Sequence, residues 1–413
     1  MTVGIITNSY PPNMNGVAVC VKNLELALIS KGINVVVITP KVPGVEYPDY
    51  VYPLPSAAAP QLMSKDLRLT ITYNDNKILQ FLKDHKVTIL HSHDTIMGGQ
   101  DTIMIGQQLK IPVVHTYHTY LESYGYFNIP GYKLFIRNYS KFICDYSDGV
   151  VVLSNKISNY LEDIGVKTKM YSLPNIYIPK TIEETSKHKP YRFIEEHLLE
   201  HSYNILTFGR IAKEKNLINT IEQVTPLFTT YPKLRLIILG DGPIKPELLE
   251  YIYDNKLEHK VLLFGSYNYT DLAVISSVSK FYLNTSITEV LPTTALEAIS
   301  FSLPLVTIND NAYSYILKDG INGLYLANSD ITEGIIRLIE NPDILDNMAK
   351  NALQTFNDYQ SVDYGDEYIS MYKDVIINHK HRHISKKVFT TFQNSLKEFF
   401  ESFDLTVFDY WKK

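Results

Sequence analysis

The stretch "NILTFGRIAKEKN", from Asn204 to Asn216, contains a largely apolar run that ends in a glycine and leads into a short polar loop. A run of this length and composition suits a strand that is buried on both faces, as the strands of parallel sheets are. A helical pattern follows the loop. We therefore predict a strand, a loop at its carboxyl end and a helix, which is one repeat of an α/β fold.

The same pattern recurs along the chain in two series, one in each half. The strands predicted in the first half are Val3–Thr7, Val35–Thr39, Val87–Ser92, Pro112–Tyr117 and Gly149–Ser154. Those predicted in the second half are Asn204–Gly209, Leu234–Gly240, Val261–Gly265, Phe281–Ser286 and Leu303–Ile308. Because helical patterns separate the runs, we predict two Rossmann-like, doubly wound α/β domains.

A polar segment without a strand signal, Ile178–His201, lies between the two series. We interpret residues 178–202 as the hinge that joins a first domain, residues 1–177, to a second, residues 203–365, with a helical tail at residues 366–413. The two domains are expected to face each other across a cleft. In open α/β sheets ligands bind beyond the carboxyl ends of the strands, so the loops after these strands are the candidate site.

Composition limits the possible functions. The chain has 413 residues, a number that suits two or three domains, with 45% hydrophobic and 20% charged residues, as in soluble proteins. A net charge of −5 gives no general attraction to nucleic acid, and the two cysteines form no disulfide or metal pattern. No signal peptide is visible, and no apolar run approaches the ~18 residues of a membrane helix. We expect a cytoplasmic protein.

Two strand-end loops carry residues suited to phosphate. Gly16 precedes a helical pattern from about Val17 to Ser30, where backbone N–H groups could approach an anion. Arg210 and Lys215 follow the strand at Asn204–Gly209. Two cations at a strand end would suit a diphosphate, although lysines and arginines in loops are also commonly only solvated.

The stretch "TEVLPTTALEAI", Thr288–Ile299, predicts a second part of this site. Pro292 is expected as the first helical residue, and the N–H groups of the first turn then form an anion site. Glu289 could bind sugar hydroxyls and Glu297 ribose hydroxyls, although Glu297 could equally be an ordinary exposed helix residue. The donor-binding residues predicted here are Glu289, Leu291, Pro292, Thr293 and Glu297.

Taken in order, several motifs resemble the retaining glycosyltransferases of family 4, which have the GT-B fold. They are "NSYPPNMNGVAV", "HSHDTIMGG", "HTYHTYLESYGY", "GRIAKEKN", "LGDGP", the Glu289 and Glu297 pair, "SLPLVT" and "LKDGINGLYL". The resemblance implies that Arg210 and Lys215 bind the donor diphosphate, that Glu289 contacts the sugar and that Glu297 binds the ribose. It also implies that His118 lies next to the donor sugar, and that the last helix crosses back onto the first domain.

Three positions depart from the family pattern. Val290 stands where a glycine usually follows the first glutamate, Ile176 replaces the glycine of the hinge motif, and Ser302 replaces a glycine after the second glutamate. The charged residues are unaffected. The departures leave the shape of the sugar pocket, and so the identity of the sugar, open.

The expected chemistry is transfer of a hexose, most simply glucose, from a UDP-sugar without a metal or other cofactor. Metal-dependent glycosyltransferases commonly hold a cation on an Asp-x-Asp motif, and this sequence contains none. The predicted catalytic residues are His118, Arg210, Lys215 and Glu289. No carboxylate suggests itself as a nucleophile, so the family mechanism, in which the leaving phosphate takes the acceptor's proton, is expected.

The acceptor is predicted from "HTYHTYLESYGYF", His115–Phe127, which most resembles the subgroup that glucosylates diacylglycerol. Tyr120, Tyr124 and Tyr126 are the acceptor-side candidates. The tail combines a basic stretch, His379–Lys387, with an aromatic one, Val388–Trp411, which could contact an anionic membrane surface or simply pack on the first domain. A lipid-linked or polymeric glycan is the alternative acceptor.

Two other functions fit the sequence less well. A non-catalytic glycosyltransferase-like subunit would be expected to lose the charged residues, yet Arg210, Lys215, Glu289 and Glu297 are all present. A dinucleotide-dependent dehydrogenase would need Gly-x-Gly-x-x-Gly after the first strand, and "TNSYPPNMNG" does not supply it.

Overall fold

The computed structural model describes residues 1–13, 15–58, 68–70, 76–95, 98–123, 131–179, 188–381, 384–385, 390 and 394. These residues divide into two compact units. The first unit holds Met1–Ile176 together with the described residues from Asp363 onward, and the second holds Tyr177–Val362.

The first unit alternates strands and helices in chain order. Its strands are β1 (Thr2–Ile6), β2 (Asn34–Pro40), β3 (Val51–Leu54), β4 (Ser56–Ala58), β5 (Arg68–Thr70), β6 (Ile89–Ser92), β7 (Val113–Thr116), β8 (Gly149–Val152) and β9 (Met170–Ser172). Its helices up to that point are α1 (Gly16–Ser30), α2 (Asn76–Asp84), α3 (Gly99–Leu109), α4 (Tyr132–Tyr146) and α5 (Asn155–Asp163).

Seven of the described strands form one parallel sheet in the order β3-β2-β1-β6-β7-β8-β9, and β4 and β5 pair separately and antiparallel. In the centre of the sheet Val3 lies between Val35 of β2 and Ile89 of β6. The apolar side chains of β1 are buried, because helices cover both faces of the sheet. The sequence of β1 is therefore continuously apolar rather than alternating.

The second unit repeats this plan. Its strands are β10 (Tyr203–Phe208), β11 (Leu234–Leu239), β12 (Val261–Gly265), β13 (Phe281–Asn284), β14 (Leu305–Ile308) and β15 (Gly323–Leu326). Its helices are α6 (His188–Glu196), α7 (Leu217–Val224), α8 (Leu227–Thr230), α9 (Lys245–Asp254), α10 (Tyr269–Ser277), α11 (Thr293–Ser300), α12 (Ile331–Glu340) and α13 (Pro342–Ser361). Its strands are parallel in the order β12-β11-β10-β13-β14-β15.

All ten predicted strands are confirmed, with ends that differ by two residues at most. The missed strands of the two parallel sheets, β3, β9 and β15, lie at sheet edges. An edge strand pairs on one side only, so it needs no long apolar run, and β3 even contains Pro53. Edge position therefore explains why the apolar pattern did not reveal these strands.

The last described helix, α14 (Tyr364–Asn378), belongs to the first unit and packs against α1. Lys31, at the end of α1, forms ion pairs with Asp363 at 2.5 Å and Asp366 at 2.8 Å. The hydroxyl of Tyr372 lies 2.7 Å from Nδ1 of His91 in β6. The predicted return of the last helix to the first domain is confirmed.

The segment predicted as a hinge is described only in part. His188–Glu196 forms α6, which packs on α10 inside the second unit, and Phe193 meets Phe264 with ring centroids 5.1 Å apart. The hinge itself stays a prediction. No helix within the described ranges is long and apolar enough to cross a membrane.

Candidate active site at the carboxyl edge of the second sheet

Glycines allow the loops after β10 and β11 to pack closely. Gly209 and Gly240 have φ angles of +134° and +151°, a region that side chains rarely adopt. A Cβ atom on Gly240 would lie 1.9 Å from the carbonyl oxygen of Gly209, and one on Gly242 would lie 2.2 Å from that of Ile211. The motifs "GRIAKEKN" and "LGDGP" therefore form one layer at the carboxyl edge of the sheet.

Arg210 stands at the start of this layer. Its guanidinium group forms an ion pair with Glu214, whose side chain is only 7% exposed, whereas the Arg210 side chain is 45% exposed. The backbone at Glu214 is held in turn by Ser286, whose Oγ donates to the Glu214 carbonyl oxygen at 3.0 Å. The buried carboxylate thus orients a guanidinium group that still reaches solvent, as a ligand-binding arginine requires.

Lys215 and Glu289 come together although 74 residues separate them in the chain. Lys215 Nζ lies 2.6 Å from Glu289 Oε1, and the two side chains are 26% and 7% exposed. The contact forms because β10 and β13 are neighbours in the sheet, so their following loops meet. Thr285 reinforces this junction by donating to the carbonyl oxygen of Asn216 at 3.1 Å.

The helix after Glu289 starts one residue later than predicted. Pro292 is the N-cap, with extended backbone at φ −71° and ψ 126°, and α11 begins at Thr293. The expectation that Pro292 is the first helical residue was therefore wrong. As an N-cap, proline has no side-chain acceptor for the first-turn N–H groups of α11, so an anion could accept them. Leu291 is buried beside this start.

Glu297 lies one turn inside α11 and is half-buried. Burial, followed by the charge of Glu297, raises the pKa of Tyr267 and Tyr177 well above the ordinary value. Both phenols therefore stay protonated near this carboxylate. The structure thus brings Arg210 and Lys215 to the same sheet edge as Glu289, Pro292 and Thr293, with Glu297 following in α11.

In the first unit, Gly16 is the first residue of α1 rather than a residue before it. The N-cap is Asn15, whose Oδ1 accepts from the backbone N–H of Ala18 at 2.9 Å, and whose Nδ2 donates to Ser9 Oγ at 3.1 Å. This helix start therefore satisfies one of its own N–H groups. It is a weaker candidate for an anion than the start of α11.

His118 belongs to a cluster of histidines that lie in β6 and β7 and just after them. Its Nε2 lies 2.8 Å from Nδ1 of His93, and the rings are stacked with centroids 5.1 Å apart. His115 Nε2 lies 3.1 Å from Thr95 Oγ1, and His91 Nε2 lies 2.6 Å from Thr116 Oγ1. The contact with His93 therefore fixes the position of the His118 ring in the first domain.

Burial determines the charge of this cluster. It lowers the pKa of His115 and of His118 to about 3, and it lowers those of His91 and His93 well below the ordinary value. The rings are therefore neutral at physiological pH. Each neutral ring offers one donor and one acceptor, so His118 can position a polar group but brings no positive charge.

The acceptor-side tyrosines are described only in part. Tyr120 is half-buried, with its ring edge against Tyr160 at a centroid distance of 4.9 Å and Lys156 Nζ 5.0 Å above it. Tyr124 and Tyr126 lie outside the described residues. Glu122 and Arg137, which form an ion pair at 2.8 Å, hold the segment that follows Tyr120 against α4.

Three residues at these edges were missed from the sequence. His93 lies in the motif "HSHDTIMGG", and Glu214 in "GRIAKEKN", but the sequence alone assigns neither residue a role. Tyr313 follows β14 and carries a buried hydroxyl, and its only sequence signal is its place just beyond a predicted strand. Contacts and burial in the folded chain, rather than any local motif, reveal all three.

Comparison with known families agrees with this arrangement. The model described as "Glycosyltransferase Family 4" matches residues 14–177, and that described as "Glycosyl transferases group 1" matches residues 192–355. The chain belongs to the family 4 glycosyltransferases. The first match covers the first sheet from β2 onward, the second covers the whole second sheet, and the second contains the Arg210, Lys215 and Glu289 cluster.

Curated relatives of this glycosyltransferase span almost its whole length. The alpha-monoglucosyldiacylglycerol synthase of Acholeplasma laidlawii is 25% identical over 94% of this chain and 100% of its own. The enzyme of the same name from Streptococcus pneumoniae is 25% identical over 95% of this chain and 91% of its own. The crystal structure of Anabaena HepE in complex with UDP has a TM-score of 0.66 at 14% identity, covering 91% of this chain and 100% of that one. The glycosyltransferase thus has the GT-B fold.

Proposed function

We propose that this glycosyltransferase transfers glucose from UDP-glucose to diacylglycerol in a membrane, with retention of configuration. The observation that carries the proposal is the similarity, over 94% and 95% of the chain, to two alpha-monoglucosyldiacylglycerol synthases. The site geometry supports the same chemistry. Cations and a helix start lie at one sheet edge with a buried carboxylate, which is the combination that a nucleotide sugar requires.

The leaving group explains the cations. When the bond between the anomeric carbon and the phosphate oxygen breaks, negative charge grows on the diphosphate. Arg210, held by Glu214, and Lys215 are proposed to stabilise that charge, together with the first-turn N–H groups of α11. These groups already provide positive potential at the proposed diphosphate, so we propose that no metal is needed. Glu297 is proposed to bind the ribose and Glu289 the hexose.

Retention follows from the product that the relatives' names give. UDP-glucose carries glucose in the α configuration, and the two relatives are named as alpha-glucosyl synthases. We propose front-face attack: the acceptor oxygen bonds to the anomeric carbon on the side that the diphosphate leaves, and its proton passes to the leaving phosphate oxygen. His118 is proposed to contact the hexose as a neutral hydrogen-bonding group.

The proposed acceptor places the enzyme at the cytoplasmic face of a membrane, as a peripheral protein. Lys380 is exposed just after α14, and His379 is anchored to Asp148 at 2.8 Å, so the start of the basic stretch is fixed on the first unit. Ile384 packs into the core beneath it. Arg382, Lys386, Lys387 and the aromatic residues of the stretch that follows lie outside the described residues. The basic stretch is proposed to bind anionic lipid headgroups.

The test is a transfer assay with radiolabelled UDP-glucose and vesicles that contain diacylglycerol and phosphatidylglycerol. We expect one labelled glycolipid, with the small anomeric proton coupling of an α-glucoside in its NMR spectrum. Label in a polyol-phosphate or undecaprenyl-linked acceptor, but not in diacylglycerol, would replace the lipid proposal with a polymer acceptor. Binding of UDP-glucose without transfer or hydrolysis would instead indicate a non-catalytic subunit.

A further inference from the structure

The hydroxyl of Tyr313 is a buried polar group without a described hydrogen-bond partner. The residue is 1% exposed, and no described residue donates to or accepts from its OH group. Burying an unsatisfied polar group lowers stability, so native proteins rarely retain one without a reason. A ligand that completes the hydrogen bond is one such reason.

The position of Tyr313 supports this reason. β13 and β14 are parallel neighbours, with Asn284 beside Thr307. Their carboxyl ends therefore deliver two loops to one place, and those loops carry Glu289 and Tyr313. Asp310 caps the Tyr313 turn by accepting from the backbone N–H of Ala312 at 3.0 Å.

The Tyr313 phenol lies within electrostatic reach of Glu289, the predicted sugar-binding carboxylate. Burial raises the pKa of Tyr313 well above its ordinary value, and the charge of Glu289 is the next largest cause, followed by Tyr282. The phenol is therefore always protonated and able to donate. Glu289, which can only accept when ionised, complements it.

The neighbouring phenol of Tyr282 provides a contrast inside the same site. Its hydroxyl donates to Thr294 Oγ1 at 3.0 Å and accepts from Asn284 Nδ2 at 3.0 Å. Tyr282 is therefore satisfied by the protein and needs no ligand. Tyr313 lies at the same strand ends, yet the described protein leaves its hydroxyl unsatisfied.

We propose that the hydroxyl of Tyr313 hydrogen-bonds one hydroxyl group of the donor hexose and thereby helps to select the sugar. The assignment rests on the proposed function, because it requires a hexosyl donor. It adds a neutral donor group to the acceptor group of Glu289. The pair then favours a hexose whose hydroxyl groups can accept from Tyr313 and donate to Glu289 at the same time.

A site that hydrogen-bonds a substrate hydroxyl strongly rejects analogues that lack it, because its own polar group is left unpaired. Replacing Tyr313 by Phe removes the hydroxyl and keeps the ring. We expect kcat/KM for UDP-glucose to fall by about 10- to 100-fold, the range for loss of one or two hydrogen-bond equivalents. Affinity for UDP alone should not change, since UDP has no hexose.

The decisive experiment measures kcat/KM of wild type and Tyr313→Phe with UDP-glucose and with UDP-glucose analogues that each lack one hexose hydroxyl. We expect one analogue for which the two proteins are equal, because the interaction is already absent. With the other analogues the variant should remain impaired. Titration calorimetry with UDP tests that the diphosphate and nucleoside sites are unaffected.

Tyr203→Phe is the matched control. Tyr203 also has a buried hydroxyl without a partner among the described residues, but it begins β10, at the opposite end of the sheet from the site. We expect wild-type kinetics from this variant, and thermal denaturation of both variants reports any general loss of stability. The control separates loss of a buried phenol from loss of a sugar contact.

Two outcomes would overturn the Tyr313 assignment without contradicting the proposed function. One is wild-type kcat/KM for UDP-glucose in Tyr313→Phe, and the other is an equal loss with every analogue, as a purely structural phenol or one bonded to a buried water would give. A wild-type protein that neither binds nor turns over any UDP-hexose would contradict the proposed function itself, and the Tyr313 assignment with it.

Discussion

The Nζ atom of Lys215 lies 2.6 Å from Oε1 of Glu289, so the predicted diphosphate cation already contacts the predicted sugar carboxylate. Lysine has three donors on a flexible stem, and it can therefore hold the carboxylate and a phosphate oxygen together. The two residues form one electrostatic unit rather than two independent binding groups. Substituting either one should consequently affect the other.

The first prediction concerns the two cations. Lys215→Ala and Arg210→Ala should each lower kcat by about 100-fold, the loss seen when one group that stabilises transition-state charge is removed. Steady-state kinetics of glucosyl transfer provide the measurement. Lys31→Ala is the control, because Lys31 is also ion-paired but lies in the first unit, at the end of α1. Near wild-type transfer by both site variants would mean that the diphosphate binds elsewhere.

The second prediction concerns the coupling between Lys215 and Glu289. Lys215→Ala removes the cation from a carboxylate that is only 7% exposed, which should lower the free energy of unfolding. In a Glu289→Gln background the same substitution should cost less, because no negative charge is left behind. A double-mutant cycle in urea measures this difference. Strict additivity would mean that the contact has no energetic role.

The third prediction separates the two glutamates. Glu289→Gln keeps the shape and removes charge next to the proposed hexose position, so it should mainly lower kcat. Glu297→Gln should mainly raise the dissociation constant for the donor, because the proposed ribose contact is remote from the reacting bond. Kinetics combined with calorimetry distinguish the two effects. Small and equal effects from both variants would mean that Glu297 is an ordinary helix residue.

Much of the fold could be predicted because the central strands are buried on both faces. Burial on both faces forces continuous apolar runs such as Val35–Ile38, and these runs are visible without any partner strand. The start of α1 was predicted to within one residue for a similar reason, since Gly16 interrupts the pattern. The positions of edge strands and the N-cap role of Pro292 depend on neighbouring elements of the fold. They therefore cannot be predicted from the local sequence.

The candidate site could be predicted only where charged residues follow predicted strands at a recognisable spacing. Arg210, Lys215 and Glu289 stand out as charged residues after apolar strands, and the structure brings them to one edge. Tyr313 could not be found this way, because a tyrosine after a strand is usually a packing residue. Only its burial and its unsatisfied hydroxyl give it a role, and both are properties of the folded chain.

The fourth prediction uses the pKa values of the buried histidines. Unfolded histidine has a pKa of about 6.5. Burial lowers that of His115 to about 3, so below pH ~6.5 the unfolded chain binds a proton that the folded chain does not. The free energy of unfolding should therefore fall as the pH falls from about 6.5 towards 3, by about 1.4 kcal/mol per pH unit for each such histidine.

Urea denaturation between about pH 7 and pH 4 measures this slope. Carboxylates contribute to acid unfolding as well, so the informative quantity is the difference between variants. His115→Gln should reduce the slope by about 1.4 kcal/mol per pH unit, which is the contribution of one bound proton. His259→Gln, at an exposed position in the second unit, is the control substitution. Identical slopes for His115→Gln and wild type would contradict a neutral, buried His115.

The fifth prediction concerns the membrane. The basic stretch contains Lys380, Arg382, Lys386 and Lys387, and each cation near an anionic surface contributes about 1 kcal/mol. Contacts of this size give reversible binding that salt weakens. The protein should therefore sediment with phosphatidylglycerol-rich vesicles, sediment less with neutral ones, and be released as the salt concentration rises. Glucosylation of diacylglycerol should increase with the anionic fraction.

A matched pair of variants tests whether this stretch, rather than total charge, binds the membrane. Changing the four cations of the basic stretch to Gln should abolish sedimentation and lower glucosylation of vesicle-bound diacylglycerol, while hydrolysis of UDP-glucose in solution persists. The control changes Lys233, Lys280, Lys318 and Lys350, exposed lysines of the second unit, and so removes the same charge elsewhere. Equal loss of vesicle binding in both variants would mean that net charge alone governs attachment, and that the tail only packs on the first domain.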